Sequence, residues 1–262
     1  MCILTFIRPA ITPDYDALAA GAIANPHGHG WAIHAGDRLV VGHGLDPRET
    51  ITEFAHARTE FPDGPALFHS RYATHGKHTT ANCHPFAIGG DKRSVLAHNG
   101  VLPDHVHPTR GDDRSDTRIA AEDFLPRAPF GSLDSWIGRS RFERWLGHDK
   151  AVILTVDPAY KHSVYIFNEQ AGHWRDGSWY SNHTYELGRF PHGGYTAFAE
   201  GFGFEDGYCD NCGADFDNPD GPHCLYCGYC VQCLRTFPRC SCACPDESLR
   251  YADLGDPELE TA

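Results

Sequence analysis

The cysteines of this chain are distributed unevenly, and their distribution divides the sequence into two parts that must be stabilised differently. Nine of the eleven cysteines in 262 residues lie between Cys209 and Cys244, and only Cys2 and Cys83 precede them. A segment of about 40 residues buries too little apolar surface to fold on a core of its own, so it usually depends on cross-links or bound metal ions. The longer region before the cluster can build an ordinary core, because 41% of the chain is hydrophobic.

The cluster has the spacing of metal-binding cysteine turns. Cys209 and Cys212 form one Cys-x-x-Cys pair, Cys224 and Cys227 form another, and a glycine follows each pair. In such turns backbone N–H groups point at the thiolates, and the glycine permits the tight bend. We therefore predict a small zinc-ribbon-like module with two structural zinc ions. Its candidate ligands are Cys209, Cys212, Cys224, Cys227, Cys230, Cys233, Cys240, Cys242 and Cys244.

Two questions about this module stay open at the level of sequence. An iron–sulfur cluster is the alternative to zinc, because Cys-x-x-Cys runs also ligate iron. The pairing is open as well: either the first four cysteines share one zinc, or Cys230 and Cys233 exchange places with Cys224 and Cys227. One of the last three cysteines is spare in either arrangement.

The expected compartment follows from the first residues and from the hydropathy of the chain. The run Ile3–Ile7 is too short for the core of a secretory signal, and no basic segment precedes it. No stretch of the sequence reaches the ~20 apolar residues that cross a bilayer. We therefore expect a cytoplasmic protein, in which clustered cysteines serve as metal ligands and not as disulfides.

Charge favours a protein partner over a nucleic acid. The formal net charge is -13, and the segment from Glu205 to Ala262 carries twelve acidic and three basic side chains. Nucleic-acid binding usually needs a basic face, so we expect the cysteine-rich module to dock a protein, and we expect no membrane partner. The expected domains are residues 1–203, the module at 204–245 and an acidic flexible tail at 246–262.

Hydrophobic patterns in residues 1–203 predict a mixed domain of helices and strands. Gly36-Asp37 separates two apolar runs and predicts a hairpin. Ser115 before an apolar run and Pro126 after it predict the start and the end of a helix. The predicted strands are 3–7, 31–34, 38–41, 66–71, 94–97, 151–156 and 163–167, and the predicted helices are 48–60, 115–125 and 133–146. Strands on both sides of a helical middle indicate an α+β fold of stacked sheets with helices outside.

Cys2 becomes chemically distinctive if Met1 is removed. The residue then carries a thiol and a free α-amine, whose pKa values are ordinarily about 8.5 and about 7.7–8.0. Such a pair supplies a nucleophile and a base within one residue. A cysteine is by itself more often a small buried apolar residue, which is our interpretation of Cys83, so the inference for Cys2 depends on the motifs that follow.

Six motifs occur in order through residues 2–200. They are Cys2, Asn25-Pro26-His27-Gly28-His29-Gly30-Trp31, Arg71-Tyr72-Ala73-Thr74-His75-Gly76, His84-Pro85-Phe86, His98-Asn99-Gly100 and Ser115-Asp116-Thr117. As an ordered set they resemble the class II glutamine amidotransferases, which belong to the N-terminal nucleophile (Ntn) hydrolases. The resemblance implies a four-layer αββα sandwich and an enzyme that acts on an amide.

The resemblance also implies roles in the reaction. Cys2 would attack the side-chain amide of glutamine and form a γ-glutamyl thioester, while its α-amine carries a proton to the departing ammonia. The Asn99 side chain and the Gly100 N–H would form the oxyanion hole, which stabilises charge that exists only in the transition state. As a simpler alternative, Asn99-Gly100 is also a common pair in a type I′ turn.

Four further residues are implied to bind the substrate. Arg71 would bind the α-carboxylate, because the fork of a guanidinium matches that group. Asp116 would pair with the α-ammonium, and Thr74 and His75 would shape the floor of the pocket. As simpler alternatives, Arg71 could form an ordinary surface ion pair and Asp116 could merely cap a helix.

The substrate and the partner follow from which branch of the family the chain resembles. Many members have glycine after the first cysteine, whereas Ile3 follows Cys2 here, and the segment from Asn25 to Trp31 is similar to the stand-alone branch. We expect glutamine as substrate and a separate protein as acceptor of the ammonia. The alternatives are a hydrolase of another small γ-glutamyl amide and a non-catalytic, zinc-dependent interaction protein.

Overall fold

Two antiparallel β-sheets organise the part of the chain that the structure describes. The computed structural model describes residues 2–186 in full and the backbone of residues 229–230 and 235–236. The chain divides after Tyr185, and the residues up to that point form a mixed α/β fold. The strands are β1 (Ile3–Ile7), β2 (His29–His34), β3 (Leu39–Gly44), β4 (Ala66–Ser70), β5 (Phe86–Ile88), β6 (Asp91–Asn99), β7 (Lys150–Thr155), β8 (Val164–Phe167), β9 (His173–Arg175) and β10 (Ser178–Tyr180), and the helices are α1 (Tyr15–Ala24), α2 (Pro47–Glu60), α3 (Asp116–Ile119) and α4 (Trp136–Leu146).

The strand order determines which chain ends lie side by side. One sheet has six strands in the order β3-β2-β4-β1-β10-β9, and the other has four in the order β5-β6-β7-β8. β1 pairs with β4 so that Ile3 lies opposite Ser70. The residue before Ile3 and the residue after Ser70 are therefore neighbours at one edge of the sheet. In the second sheet Asn99, the last residue of β6, lies opposite Lys150.

The two sheets pack face to face around an apolar core. Every second side chain of β1 and β4 points toward the other sheet and packs against every second side chain of β6 and β7, as expected for the two-residue period of a strand. This inner core contains Leu4, Phe6, Ala32, Leu67, Val95, Ala97, Val152, Leu154, Ile166 and Trp179. The opposite side chains of the same strands are also buried, so all five residues of β1, Thr5 included, are buried.

Helices cover the outer faces of both sheets. On the six-stranded sheet, Leu18 of α1 and Phe54 of α2 pack with Trp31, Ile33 and Phe68 of the strands. On the four-stranded sheet, the segment from α3 onward and α4 pack on the strands through a cluster that includes Ala120, Ala121, Phe142, Leu146, Ile153 and Phe167. The layers in order are helices, six-stranded sheet, four-stranded sheet and helices.

The helix starts follow local capping chemistry. Asp46 accepts the N–H of Glu49 at 3.0 Å before α2, and Ser135 accepts the N–H of Gly138 at 3.1 Å before α4. Such caps satisfy N–H groups that have no partner within the helix. The predicted helix at 48–60 is thereby confirmed, and the one predicted from residue 133 begins at Trp136, because Ser135 is its cap.

The strand predictions are confirmed for the opening run, the hairpin of β2 and β3, and the pair β7 and β8. Two expectations need correction. The short strand predicted at 94–97 runs from Asp91 to Asn99, so His98 and Asn99 belong to a strand. The alternative of a type I′ turn at Asn99-Gly100 is therefore wrong, since such a turn needs a positive φ at both residues and only Gly100 has one.

The helix predicted at 115–125 is present but changes type along its length. α3 continues as a π-helical turn at Ala120–Phe124 and as a 3-10 turn at Leu125–Arg127. Pro126 lies in that last turn, and Ala128 then adopts a left-handed conformation that ends the helical segment. α1 was not predicted, because its sequence is apolar on nearly every face and shows no amphipathic contrast.

The cysteine-rich module is described only at one short hairpin, in which Tyr229–Cys230 pairs with Arg235–Thr236. The side chains of all nine predicted zinc ligands, from Cys209 to Cys244, lie outside the described residues. The predicted boundaries at 203/204 and 245/246 lie outside them too and stay predictions. Among the described residues, no helix combines the length and the apolar character that a membrane span requires.

Candidate active site

Three of the predicted residues meet at one edge of the space between the sheets. Cys2 precedes β1 and lies two residues before Leu4, whose side chain faces the inner core. Leu67, Val95 and Ala97 also face the inner core. Arg71 follows β4 four residues after Leu67, and Asn99 ends β6 two residues after Ala97. Because strand side chains alternate between faces, Cys2, Arg71 and Asn99 are all directed between the sheets.

The Cys2 thiol is buried and bonded to the start of the loop after β4. Its Sγ accepts the backbone N–H of Tyr72 at 3.3 Å and lies 3.5 Å from the carbonyl of the same residue. Burial raises the pKa of the Cys2 thiol, while the Tyr72 hydrogen bond and the charge of Arg71 lower it. The thiol is therefore held in its protonated form near neutral pH and needs a base before it can act as a nucleophile.

A small network fixes the backbone of Cys2. The side-chain amide of Asn182 donates to the Cys2 carbonyl at 2.7 Å. The Asn182 Oδ1 accepts the N–H and the hydroxyl of Thr184 at 3.0 and 2.7 Å. The Nδ2 of Asn25, which is 1% exposed, donates to the Thr184 hydroxyl at 3.3 Å and to the Gly21 carbonyl at 2.8 Å. Sequence reasoning did not identify Asn182 or Thr184.

Arg71 is buried and organises the loop that follows it. Its side chain is 2% exposed, so the alternative of a surface ion pair is wrong. One guanidinium nitrogen donates to the Lys77 carbonyl at 3.1 Å and another donates to the His75 carbonyl. A guanidinium has five N–H groups, and three of them remain after these two bonds. Arg71 can thus hold the loop and bind a carboxylate at the same time.

Asn99 and Gly100 form a sharp corner at the end of β6. Asn99 is 3% exposed, and Gly100 has a φ of +148°. A Cβ atom on Gly100 would lie 1.9–2.3 Å from the carboxylate atoms of Asp149, so only glycine fits. The same carboxylate accepts the Val101 N–H at 2.9 Å and lies 3.3 Å from Nε2 of His98. Asp149 therefore holds the peptide N–H that follows this corner and the imidazole ring of the residue before Asn99.

The hydrogen-bond donors and acceptors around the Asn99 amide indicate which way its nitrogen and oxygen point. Its Nδ2 is placed 2.8 Å from the Ser181 hydroxyl, and its Oδ1 has no partner among the described residues. The Ser181 oxygen already accepts the Leu4 N–H at 2.9 Å, which leaves the hydroxyl proton without an acceptor in the described part of the chain. Amide nitrogen and oxygen are assigned from such networks. Turning the amide over gives that proton to Oδ1 and leaves Nδ2 free as an oxyanion donor.

Asp116 lies at the start of α3 with most of its carboxylate engaged by the backbone. It is 5% exposed, and it accepts the N–H groups of Leu102 at 2.9 Å and of Thr117 at 2.8 Å. The helix is capped by Ser115, which accepts the Arg118 N–H, so the interpretation of Asp116 as a mere cap is wrong. The charge of Asp116 acts on the Cys2 thiol, which places the two groups in one neighbourhood.

The two remaining predicted pocket residues differ in their placement. His75 has an Nδ1 that is buried and unpartnered among the described residues, and its ring lies 4.4 Å from that of His107. A ligand atom of His75 lies within 4.8 Å of one in Asp116. Thr74 is exposed on the loop. The structure therefore brings His75 toward Asp116 and leaves Thr74 at the surface.

Buried neutral histidines support the end of β6. Burial lowers the pKa of His69 to about 3 and of His29 to about 4, and it lowers that of His84 well below the ordinary value. His69 bonds the His98 carbonyl at 3.0 Å, and His84 Nδ1 accepts the His98 N–H at 3.3 Å. A histidine with so low a pKa is too weak a base to activate a thiol at neutral pH.

Cys83 is packed, as predicted. It is 1% exposed, and burial raises the pKa of its thiol to about 11. Its Sγ lies 3.6 Å from the carbonyls of Gly44 and Thr79. Its thiol is therefore inert near neutral pH, in contrast to the thiol of Cys2, which lies against the loop at Arg71.

Comparisons with known proteins agree with this geometry. Residues 5–126 match the family described as glutamine amidotransferases class-II. The chain is 29% identical over 144 residues to a glutamine--fructose-6-phosphate aminotransferase of Methanosarcina mazei, covering 50% of this chain and 23% of that protein. It is 28% identical over 72 residues to the protein of the same name from Methanosarcina acetivorans, covering 26% and 12%. The chain thus spans less than a quarter of the length of these relatives.

Two solved structures are similar to part of the chain at lower sequence identity. A glutamine phosphoribosylpyrophosphate amidotransferase from B. subtilis superposes with a TM-score of 0.42 and 18% identity, over 69% of this chain and 41% of that chain. A glutamine aminotransferase class-II domain protein from Silicibacter pomeroyi has a TM-score of 0.32 and 15% identity, over 68% and 87%.

The family match contains four of the residues that the structure brings together. Arg71, Asn99, Gly100 and Asp116 lie within the matched residues 5–126, and Cys2 lies just before them, at the edge of the same sheet. The chain thus contains a segment, residues 5–126, that matches the class II glutamine amidotransferases.

Proposed function

We propose that this protein hydrolyses the side-chain amide of glutamine at Cys2 and passes the ammonia to a separate acceptor protein. The observation that carries the proposal is the convergence of Cys2, Arg71, Asn99, Gly100 and Asp116 at one edge of the two-sheet sandwich. No one of these residues is specific by itself. Together they supply a nucleophile, an oxyanion site and two charges of opposite sign for an amino acid.

The nucleophile requires a base, and the structure limits the choice. The histidines behind β6 are neutral and weakly basic, as their lowered pKa values require. The α-amine of Cys2, once Met1 is removed, has a pKa near neutrality, about 7.7–8.0 in a model peptide. It takes the thiol proton as Sγ attacks the amide carbon, and it returns the proton to the nitrogen when the C–N bond breaks and ammonia leaves.

The tetrahedral intermediate places its oxyanion at the end of β6. The freed Nδ2 of Asn99 and the N–H of Gly100 are the donors, and each such donor is worth about 10²–10³ in rate. Water then attacks the γ-glutamyl thioester, glutamate leaves and the Cys2 thiol is regenerated. Both donors bind a charge that exists only along the reaction path. They therefore stabilise the transition state more than the bound substrate.

The substrate is held by its amino-acid end. The three N–H groups of Arg71 that the loop does not use bind the α-carboxylate, for which a guanidinium is geometrically suited. Asp116 binds the α-ammonium, and the His75 segment closes the side of the pocket. The opposite charges of Arg71 and Asp116 select an α-amino acid over a simple amide.

The proposal extends to the fold and to the cysteine-rich module. The order helix, sheet, sheet, helix, with the nucleophile at the start of β1, supports the αββα arrangement of the Ntn hydrolases. The hairpin of Tyr229–Cys230 with Arg235–Thr236, together with the spacing of the cysteines in the sequence, supports a zinc-ribbon-like module with two structural zinc ions. Zinc would supply the stabilisation that so short a segment lacks. We also propose a cytoplasmic location, where the thiols stay reduced.

A glutaminase assay tests the function. Protein whose intact mass shows the loss of Met1 is incubated with glutamine, and glutamate is quantified for the wild type and for Cys2→Ala, with Cys83→Ala as the matched control. We expect Cys2→Ala to abolish turnover and Cys83→Ala to retain it if folding is preserved. Trapping of a γ-glutamyl adduct on Cys2 by mass spectrometry checks the thioester.

Three results would contradict the proposal. Equal turnover by wild type and Cys2→Ala would show that the thiol is not the nucleophile. Hydrolysis of other γ-glutamyl amides with no turnover of glutamine would replace the substrate by another of the same class. Retention of Met1 with no turnover and with metal-dependent partner binding would instead favour a non-catalytic interaction protein.

A further inference from the structure

A cluster of potential metal ligands lies beside the proposed glutamine pocket. His75 comes from the loop after β4, His107 follows the 3-10 turn Asp104–Val106, and Asp116 begins α3. One ligand atom from each residue lies within 4.8 Å of the others. The fold therefore gathers two imidazoles and a carboxylate from three separate segments.

His107 is oriented as a metal-binding histidine usually is. Its Nε2 lies 2.5 Å from the Leu102 carbonyl, and a carbonyl only accepts, so Nε2 carries the ring proton. The lone pair is then on Nδ1, which lies 3.6 Å from the Asp104 carboxylate, a group that is fully exposed. Metal-bound histidines commonly donate their other ring N–H to a backbone carbonyl, which fixes the tautomer and the ring orientation.

The other two residues have ligand capacity that the protein leaves unused. The Nδ1 of His75 is buried with no hydrogen-bond partner among the described residues, which is costly for a polar atom unless something binds it. Asp116 Oδ2 accepts only the Leu102 N–H among the described residues, so a second lone pair on that oxygen is available. The rings of His75 and His107 are 4.4 Å apart.

We propose that His75, His107 and Asp116 bind a divalent transition-metal ion, with Zn²⁺ as the best match, and that this ion excludes glutamine. Two imidazoles and one carboxylate are a common ligand set for zinc, with bonds of about 2.0–2.2 Å. The ligand atoms already lie within 4.8 Å of one another, and small side-chain rotations would complete these bonds. The ion engages Asp116, the proposed partner of the substrate α-ammonium, so metal and glutamine compete. The competition rests on the proposed function, whereas the binding does not.

A binding measurement tests the site without any assay of activity. Full-length protein is loaded with two equivalents of Zn²⁺ to fill the proposed cysteine sites, desalted, and then titrated with Zn²⁺ by calorimetry and with Co²⁺ by visible absorption. The variant is His107→Gln, and the control is His56→Gln, an exposed histidine of α2. We expect the affinity of one site to fall at least about tenfold in His107→Gln, in keeping with losses at altered metal sites, and to stay unchanged in His56→Gln.

A kinetic measurement tests the competition. With the wild type and with His56→Gln, added Zn²⁺ should raise the KM for glutamine and leave kcat unchanged. His107→Gln should keep the metal-free activity and lose this effect. The inference is overturned if His107→Gln binds metal as the wild type does, or if Zn²⁺ inhibits both equally, since the ion would then act elsewhere, for example on Cys2. If the protein has no glutaminase activity but His107→Gln still binds metal more weakly than the wild type, the proposed function is overturned and the metal site is retained.

Discussion

At the scale of single residues, the corner at Gly100 shows how closely the proposed oxyanion site is defined. The carboxylate of Asp149 occupies the space that a side chain on Gly100 would need, and it also binds the N–H of Val101. Among the described residues, the carboxylate oxygens of Asp149 contact Val101 and His98, and they bond neither the proposed nucleophile nor the proposed substrate anchors. We therefore regard Asp149 as a positioning residue for the Gly100 N–H.

Replacement of Asp149 should affect turnover more than substrate binding. In Asp149→Ala the Val101 N–H loses its acceptor and the corner relaxes, so we expect kcat to fall about 10²-fold, as for a misplacement of about 1 Å, with little change in KM. Asp149→Asn keeps an oxygen for the Val101 N–H and should restore most of kcat. Steady-state kinetics of both variants check this, with Asp37→Ala, an exposed hairpin residue, as control.

A purely structural role for Asp149 predicts a different pattern. Both variants would then lose active protein in parallel with their unfolding midpoint, and kcat per folded molecule would not change. An Asp149→Asn variant as impaired as Asp149→Ala would also contradict the positioning role.

At the scale of elements, strands carry the proposed chemistry and helices support it. Cys2, Arg71 and Asn99 lie at or next to the ends of β1, β4 and β6. The hydrogen bonds between strands end there, but the side chains still point between the sheets. The end of β6 is bonded by His69 and His84, and His29 of β2 bonds Ser70 at 3.0 Å. These histidines replace apolar side chains at the boundary between the core and the pocket.

The three buried histidines should make the fold sensitive to acid. Their folded pKa values are lowered by burial, to about 3 for His69 and about 4 for His29, and well below normal for His84. An unfolded histidine titrates near pH 6.5, so the unfolded state binds up to three more protons as the pH falls below that value. Each proton lowers the free energy of unfolding by about 1.4 kcal/mol per pH unit.

Urea denaturation at several pH values measures this effect. The free energy of unfolding should be constant with respect to these groups above pH 7 and should fall steeply from pH 6.5 toward pH 4. A free energy of unfolding that stays flat from pH 7 to pH 5 would show that these histidines are not neutral in the folded protein.

At the scale of the whole molecule, residues 2–182 contain every side chain that the proposed chemistry uses. The last of them is Asn182, which binds the Cys2 carbonyl across nearly the full length of the described region. The cysteine-rich module follows and contributes none of these contacts among the described residues. We propose separate tasks for the two parts, amide hydrolysis for the first and partner docking for the second.

Removal of zinc should separate these tasks. Dialysis of the full chain against a chelator should release about two zinc ions per chain, measured by elemental analysis, and make the module thiols reactive toward a thiol reagent. Glutaminase activity should not fall, because the site is built by residues before the module. A loss of activity that added zinc restores, or a metal content with no zinc, would contradict this division.

The sequence by itself determined the candidate site residues and the elements with strong local signals. Cys2, Arg71, Asn99 and Asp116 lie in short motifs, and β1, α2, β7 and β8 have clear apolar periods and caps. Those features are local, because a helix cap or a strand period depends on residues a few positions apart. Local preference also suggested the alternative of a turn at Asn99-Gly100. That alternative is wrong, because strand pairing with β7 overrides the turn preference of the dipeptide.

Only the tertiary structure decided which further residues complete the site. Ser181 meets Leu4 and Asn99, and Asn182 meets Cys2, across separations of 177, 82 and 180 residues. Asp149 reaches the Gly100 corner, and His107 approaches His75 and Asp116, only because the sheets and their connecting loops fold against one another. A single sequence carries no local signal for such contacts, since they depend on the order of strands in the sheets and on which face of each strand turns inward.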